Sequence, residues 1–189
     1  MKINTTMLRL GELASVSLIA AIGIGSGGAT AYADSSLSTD VTTNAVGEFH
    51  AIRNVGNADH AGLCLQPDGG STGEVAVVQK NCDGSEAQNW LFQPVTNGFH
   101  IVNQHSGLCL NLFGPSANGS EIAQIHCVNV SNELWTVSTL SGITTLRSRV
   151  GFRDSGLCVD VPGQSGEDGL PVQSFQCNGT VAQQFIVGL

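Results

Sequence analysis

Gly62-Leu63-Cys64-Leu65, Gly107-Leu108-Cys109-Leu110 and Gly156-Leu157-Cys158-Val159 are three spellings of one phrase in a chain of 189 residues. Each is followed by a second cysteine (Cys82, Cys127, Cys177) and then by a triplet ending in an aromatic residue. Those triplets are Gln88-Asn89-Trp90, Glu133-Leu134-Trp135 and Gln183-Gln184-Phe185, and they begin the last run of each copy. From first cysteine to aromatic the distance is 26, 26 and 27 residues. A register kept that closely marks one supersecondary unit used three times, with approximate limits 47–95, 96–140 and 141–189.

Working outward from the phrase, each unit divides into short runs rich in β-branched and aromatic residues, punctuated by glycine. The first unit offers 48–52, 63–65, 75–78 and 90–92; the second offers 99–102, 108–110, 122–125 and 134–137. The third offers 143–146, 157–159, 172–175 and 185–187. Four runs in three units predict twelve strands, with no room for crossover helices, hence an all-β barrel or sandwich. Six cysteines allow 15 pairings, among which sequence alone does not choose. The repeat favours pairing inside each unit: Cys64–Cys82, Cys109–Cys127 and Cys158–Cys177, separated by 18, 18 and 19 residues. Closing loops of that size is worth on the order of 3 kcal/mol each in the chain-entropy account.

Upstream of the repeats, Lys2 and Arg9 precede an apolar, charge-free run over 13–24, then small residues and Ala31-Tyr32-Ala33. This is the layout of a secretory signal peptide, expected to span 1–33 and to be cut before Asp34. The apolar run is too short and too glycine-rich for a membrane span of about 20 residues. Residues 34–46 are rich in Ser, Thr and Asp without periodicity, which predicts a disordered lead-in before a single domain over 47–189. A secreted chain with an even cysteine count fits oxidised bridges.

Cleavage would leave 5 basic and 14 acidic residues, a formal charge of −9. Such a surface repels phosphate backbones and anionic lipid, so neither nucleic acid nor membrane insertion is expected. The chain has no Gly-x-Ser-x-Gly, His-Glu-x-x-His or phosphate loop. Its five histidines (His50, His60, His100, His105, His126) do not fall at a ligand spacing, so no metal and no cofactor are expected. Glycoside hydrolysis needs two carboxylates about 5–10 Å apart. The loop acids Glu167 and Asp168 lie close to Asp160 in sequence, but Asp160 has no acidic neighbour that the repeat reproduces, and an enzyme is not expected.

Gly-x-Cys-Val/Leu-Asp, Val-Gln-x-aromatic-x-Cys-Asn-Gly and Gln-x-Trp/Phe, in threefold repetition, resemble the ricin B-chain type of β-trefoil lectin across essentially the whole mature chain. The resemblance implies twelve strands about a pseudo-threefold axis, six closing a barrel and six forming hairpins that cap one end. It also implies sugar binding. A sugar presents hydroxyls that donate and accept, plus C–H patches on its ring faces, so its site needs an acceptor, an amide and a flat ring. By resemblance Asp160, Gln173 and Phe175 of the third unit supply these, with Gln183 supporting the aspartate from behind. Taken singly, Asp160 reads as a strand-end residue and Phe175 as core; together in register they point to a sugar. Trp90, Trp135 and Phe185 read as barrel core.

The other units depart from that pattern. The first has Gln66, Val78 and Lys80 at the three positions and is expected to be dead. The second has Asn111, Ala123 and Ile125, but it alone keeps the family's asparagine, Asn132, where its neighbours have Ala87 and Ala182. It also carries Glu133 in place of glutamine, so the Asn111–Glu133 pair is expected to be the Asp160–Gln183 hydrogen bond with acid and amide exchanged. These three residues are weaker candidates. In the third unit, Asn178 or backbone of the 163–169 loop is expected to replace the missing asparagine. One such site supports affinity of about millimolar, which multivalency raises by about 10² to 10⁴. The implied partners are a galactose-, mannose- or xylose-type sugar of a polysaccharide or glycan, and the reading leaves open a homo-oligomer or a separate enzyme or toxin chain. The competing reading is a trefoil with degenerate sugar sites that works by protein contact, as a protease inhibitor or accessory subunit.

Overall fold

The computed structural model describes residues 47–56, 61–140 and 142–188. The expected signal peptide, the lead-in and His60 lie outside them. Among the described residues thirteen strands form: β1 (Phe49–Asn54), β2 (Cys64–Pro67), β3 (Val75–Lys80) and β4 (Asn89–Val95) in the first unit. The second unit holds β5 (Gly98–Asn103), β6 (Cys109–Phe113), β7 (Glu121–Ile125) and β8 (Trp135–Val137). The third holds β9 (Gly142–Thr144), β10 (Leu146–Ser148), β11 (Leu157–Asp160), β12 (Gln173–Gln176) and β13 (Phe185–Val187). Among the described residues the only helices are single 3-10 turns of three residues, and no helix is long and apolar enough to cross a membrane.

The thirteenth strand is the expected run 143–146 broken at Thr145. The break marks where the first strand of a unit changes partner. In β1 the leading half lies opposite its own unit's β4 (His50↔Trp90) and the trailing half opposite β13 of the third unit (Ile52↔Val187). The third unit repeats the switch with an interruption: β9 pairs β13 of its own unit (Phe185↔Thr144), and β10 pairs β8 of the second (Leu146↔Val137). In every unit the second and third strands form a hairpin, Cys64↔Lys80, Cys109↔Ile125 and Cys158↔Phe175. First and fourth strands thus make a barrel and three hairpins cap it, which is the plan of a β-trefoil.

The core follows the same threefold rule. Ile52, Ile101 and Leu146 come from first strands and Leu65, Leu110 and Val159 from second strands, all 0% exposed. Trp90, Trp135 and Phe185 open the fourth strands and are also 0% exposed. Large rings bury about 150–250 Å² each and so contribute most of the area per residue. Both indoles find an acceptor: Trp90 Nε1 donates to the Leu65 carbonyl and Trp135 Nε1 to the Leu110 carbonyl, each at 2.9 Å. The disulfides are Cys64–Cys82, Cys109–Cys127 and Cys158–Cys177, one inside each unit, with Cα–Cα distances of 5.1, 5.2 and 5.1 Å. The glycine of the repeated phrase has two causes. Gly107 and Gly156 sit at φ 69° and 72°, where a side chain is strained. Gly62 is there because a Cβ would run into the Asn54 carbonyl.

Neighbouring units are clasped by one buried polar side chain from each hairpin. Gln124 Nε2 donates to Ser71 O (3.0 Å) and Gly73 O (2.6 Å) of the first unit. Gln79 Nε2 donates to Ser165 O (2.8 Å) and Glu167 O (2.9 Å) of the third. Ser174 Oγ donates to Ala117 O of the second at 2.7 Å. Each clasp gives a buried polar side chain its partner on a loop of the next unit. Gln124→Ala is therefore expected to destabilise the fold by about 1–3 kcal/mol, measured as a shift of the urea unfolding midpoint. No change would mean that water replaces the clasp.

Candidate functional site

The hairpin β11–β12 sets Asp160 directly opposite Gln173, its last residue facing the first of its partner. Asp160 is 5% exposed and both carboxylate oxygens are engaged. Gln173 Nε2 donates to Oδ1 at 3.0 Å, and Gln183 Nε2 donates to Oδ2 at 3.1 Å. A carboxylate has about four acceptor positions, so one remains on each oxygen, and the two amides fix where those point. Gln183 is fully buried and is itself locked: it donates to Gln176 O at 2.9 Å and accepts the Asn178 N–H at 2.8 Å.

Asp160, Gln173 and Phe175 line one cleft of about 260 Å³ together with Val161, Gln164 and Asn178. Alternation along β12 puts Gln173 and Phe175 on the same face, with Ser174 turned inward to its clasp. Phe175 is half-buried, with its ring against open space and not in the core. One wall is the turn Pro162–Gln164, whose Gly163 and Gln164 have φ of 63° and 54°. The opposite wall is Asn178 and Thr180, also lining the cleft. Asn178 Oδ1 accepts from the Thr180 N–H (3.0 Å) and hydroxyl (2.8 Å), which orients its amide NH₂. Asn178, one of the expected substitutes for the missing asparagine, thus lines the cleft. Gln164 and Thr180 were not singled out; Asn178-Gly179-Thr180, an Asn-x-Thr turn, was the signal that could have found the latter.

The cleft's loop is anchored from the first unit. Lys80, at the ring position there, pairs through Nζ with Asp168 Oδ2 at 2.6 Å, and Asn81 N–H donates to Oδ1 at 2.7 Å. The Lys80 hydrogen bond, then that from Asn81, holds the Asp168 carboxyl below the usual aspartate range. A depressed folded-state pKa means the contact stabilises the fold above the ordinary aspartate value and is lost as pH falls through the folded one. The melting-temperature gap between wild type and Asp168→Asn is accordingly expected to narrow as pH is lowered from about 7 through the ordinary aspartate value of about 3.9, by calorimetry. A constant gap would show that the carboxylate's charge is immaterial.

In the first unit Gln88 Nε2 donates to Gln66 Oε1 at 2.9 Å, so the support survives without a charge to present. In the second unit the expected exchange is not formed. Glu133 is fully buried, and its oxygens accept from Val128 N–H (3.0 Å) and Asn129 N–H (3.1 Å), not from Asn111. Glu133 turns both oxygens to the loop, whereas Gln183 gives the loop only its carbonyl oxygen and keeps its NH₂ for the aspartate. Asn111 is buried beside it, and Asn132 Nδ2 donates to the Leu112 carbonyl at 3.2 Å.

The family described as the ricin-type beta-trefoil lectin domain matches residues 51–185. No curated protein sequence matches the chain. A designed threefold-symmetric protein, ThreeFoil, superposes with a TM-score of 0.64 at 25% identity, covering 74% of this chain and 96% of that one. An exo-beta-1,3-galactanase from Clostridium thermocellum gives 0.66 at 24% identity, covering 76% of this chain but 31% of the enzyme. A ricin B-like lectin from Macrolepiota procera, solved with lactose, gives 0.62 at 18% identity, covering 77% and 98%.

Proposed function

The chain belongs to the ricin-type β-trefoil lectin family, whose domain is carbohydrate-binding and non-catalytic, and from that premise we propose that it is a secreted lectin acting mainly through its third unit. The observation that carries this reading is the convergence of Asp160, Gln173 and Phe175 on one cleft, with Gln183 holding the carboxylate at 3.1 Å. The carboxylate accepts two sugar hydroxyls, the Asn178 amide donates to a third, and the Phe175 ring meets a C–H face. The ligand is a galactose-, mannose- or xylose-type residue of a polysaccharide or glycan; the lectin from Macrolepiota procera was solved with lactose. The second unit, with Asn111, Asn132 and Glu133, takes a weaker part, and the first takes none. Three disulfides suit an oxidising, extracellular location. With one strong site per chain, useful avidity comes from a clustered target, self-association or a separate enzyme or toxin chain.

Retention of the mature protein on galactose, mannose, xylan and chitin matrices tests the reading, with Asp160→Ala as control. Retention on at least one matrix that the substitution abolishes is the expected result. Binding that ignores the substitution, or no binding on any matrix, favours action by protein contact. The altered positions of the first two units supply the ground for that second reading.

A further inference from the structure

A larger cleft, of about 440 Å³, lies away from the third-unit site and shares no residue with it. Val95 and Thr96 of the β4–β5 turn, His100, Asn129, Leu134 and Phe152 line it. Its size falls in the range of about 300–1,000 Å³ in which small-molecule sites occur. We propose that this cleft is a second, independent carbohydrate site, taking a neutral pyranose against Phe152 and His100. The inference rests on the reading of the chain as a sugar binder but on none of the residues that carry it.

His100 lines the cleft at 4% exposure, and its imidazole makes no hydrogen bond to a described residue. An imidazole always carries at least one N–H donor, and a neutral ring adds an acceptor. Buried polar groups are ordinarily paired, so an unpaired one facing a cleft asks for a partner from outside. Glu133 and the Cys109 sulfur lie close to it, with ligand atoms of all three within 4.8 Å of one another. That is not a metal set, because the Cys109 sulfur is bonded to Cys127.

The wall is Phe152, 56% exposed and held at φ 61°. A bulky side chain seldom adopts that conformation, and residues kept in it cluster at ligand sites. Arg149 Nη2 fixes the turn by donating to the Phe152 carbonyl at 2.9 Å. Asn129, on the facing loop, is likewise left-handed at φ 59°, and its N–H is tied to Glu133 at 3.1 Å. Glu133 therefore sets the Asn129 loop while standing close to His100. Among the described residues no charged side chain lines the cleft. An exposed ring facing an imidazole, an amide and the Thr96 hydroxyl fits an uncharged, hydroxyl-rich ring with one C–H face.

The test is a titration of the full mature protein with galactose, mannose, xylotriose and diacetylchitobiose, followed by aromatic NMR of His100, Phe152 and Phe175. At least one of these sugars is expected to shift the His100 and Phe152 resonances, with those shifts kept in Asp160→Ala. Phe152→Ala, at an exposed position, should weaken that binding about ten-fold while leaving shifts at Phe175 intact. Silence at His100 and Phe152 with all four sugars overturns the inference even if Phe175 responds, as does loss of their shifts in Asp160→Ala. Shifts at His100 and Phe152 with none at Phe175 would instead support this site and count against the third-unit reading.

Discussion

Trp135→Ala is expected to lower the free energy of unfolding by about 3–5 kcal/mol, the range for deleting a large buried ring. Trp135 is wholly buried and opens the second unit's fourth strand, matched by Trp90 and Phe185 in the others. Alanine removes the ring, leaves a cavity on the pseudo-threefold axis and orphans the Leu110 carbonyl that the indole N–H satisfies at 2.9 Å. Against a total stability of about 5–15 kcal/mol for a domain, the loss is close to the limit of folding. Trp135→Phe is the informative control, because the third unit already uses phenylalanine at this place. Its expected cost is about 1–2 kcal/mol, for the lost hydrogen bond and part of the ring. Urea unfolding of both variants measures the pair. An alanine variant as stable as a surface substitution would mean that the ring does not hold the barrel together.

The second large effect concerns ligand affinity. On the proposed reading Asp160→Ala removes the acceptor for two sugar hydroxyls, and hydrogen bonds to a charged group contribute about 1.5–3 kcal/mol each. The expected loss is at least about 10²-fold in the sugar Kd. Asp160→Asn separates charge from shape. An amide can still accept on one side, but its NH₂ then faces the NH₂ of Gln173 or Gln183, both of which now donate to the carboxylate at 3.0 and 3.1 Å. A loss of about ten-fold or more is expected even for this near-isosteric change. Calorimetric titration with the sugar selected by the matrix panel measures both, and thermal melts establish that the variants remain folded. An Asn variant that binds as well as wild type would show that the two amides are not fixed by the charge.

Much of the fold was legible because the repeat states the same constraint three times. Cysteine register, strand count per unit and aromatic core positions all follow from period and spacing, and the observed pairings agree with them. What escaped was the break at Thr145. Strand 143–146 reads as one β-branched run, and only the change of partner, from β13 to β8, divides it. The third-unit site was legible at Asp160, Gln173 and Phe175 because a hairpin puts them opposite or alternate. Gln164, Thr180 and the Lys80–Asp168 anchor were not, since they come from loops and from another unit. Glu133 shows the other limit of reading by analogy. Exchanging acid and amide looks symmetrical on paper, yet the residue at this place also receives loop N–H groups, and the Glu133 carboxylate is turned to them and not to Asn111.

The most direct measurement is a crystal structure of the mature protein soaked with the sugar that the matrix panel selects. The account predicts a pyranose in the third-unit cleft, two hydroxyls within hydrogen-bond distance of the Asp160 carboxylate and a ring face over Phe175. Sugar bound elsewhere with that cleft empty, or bound there without contact to Asp160, would contradict it.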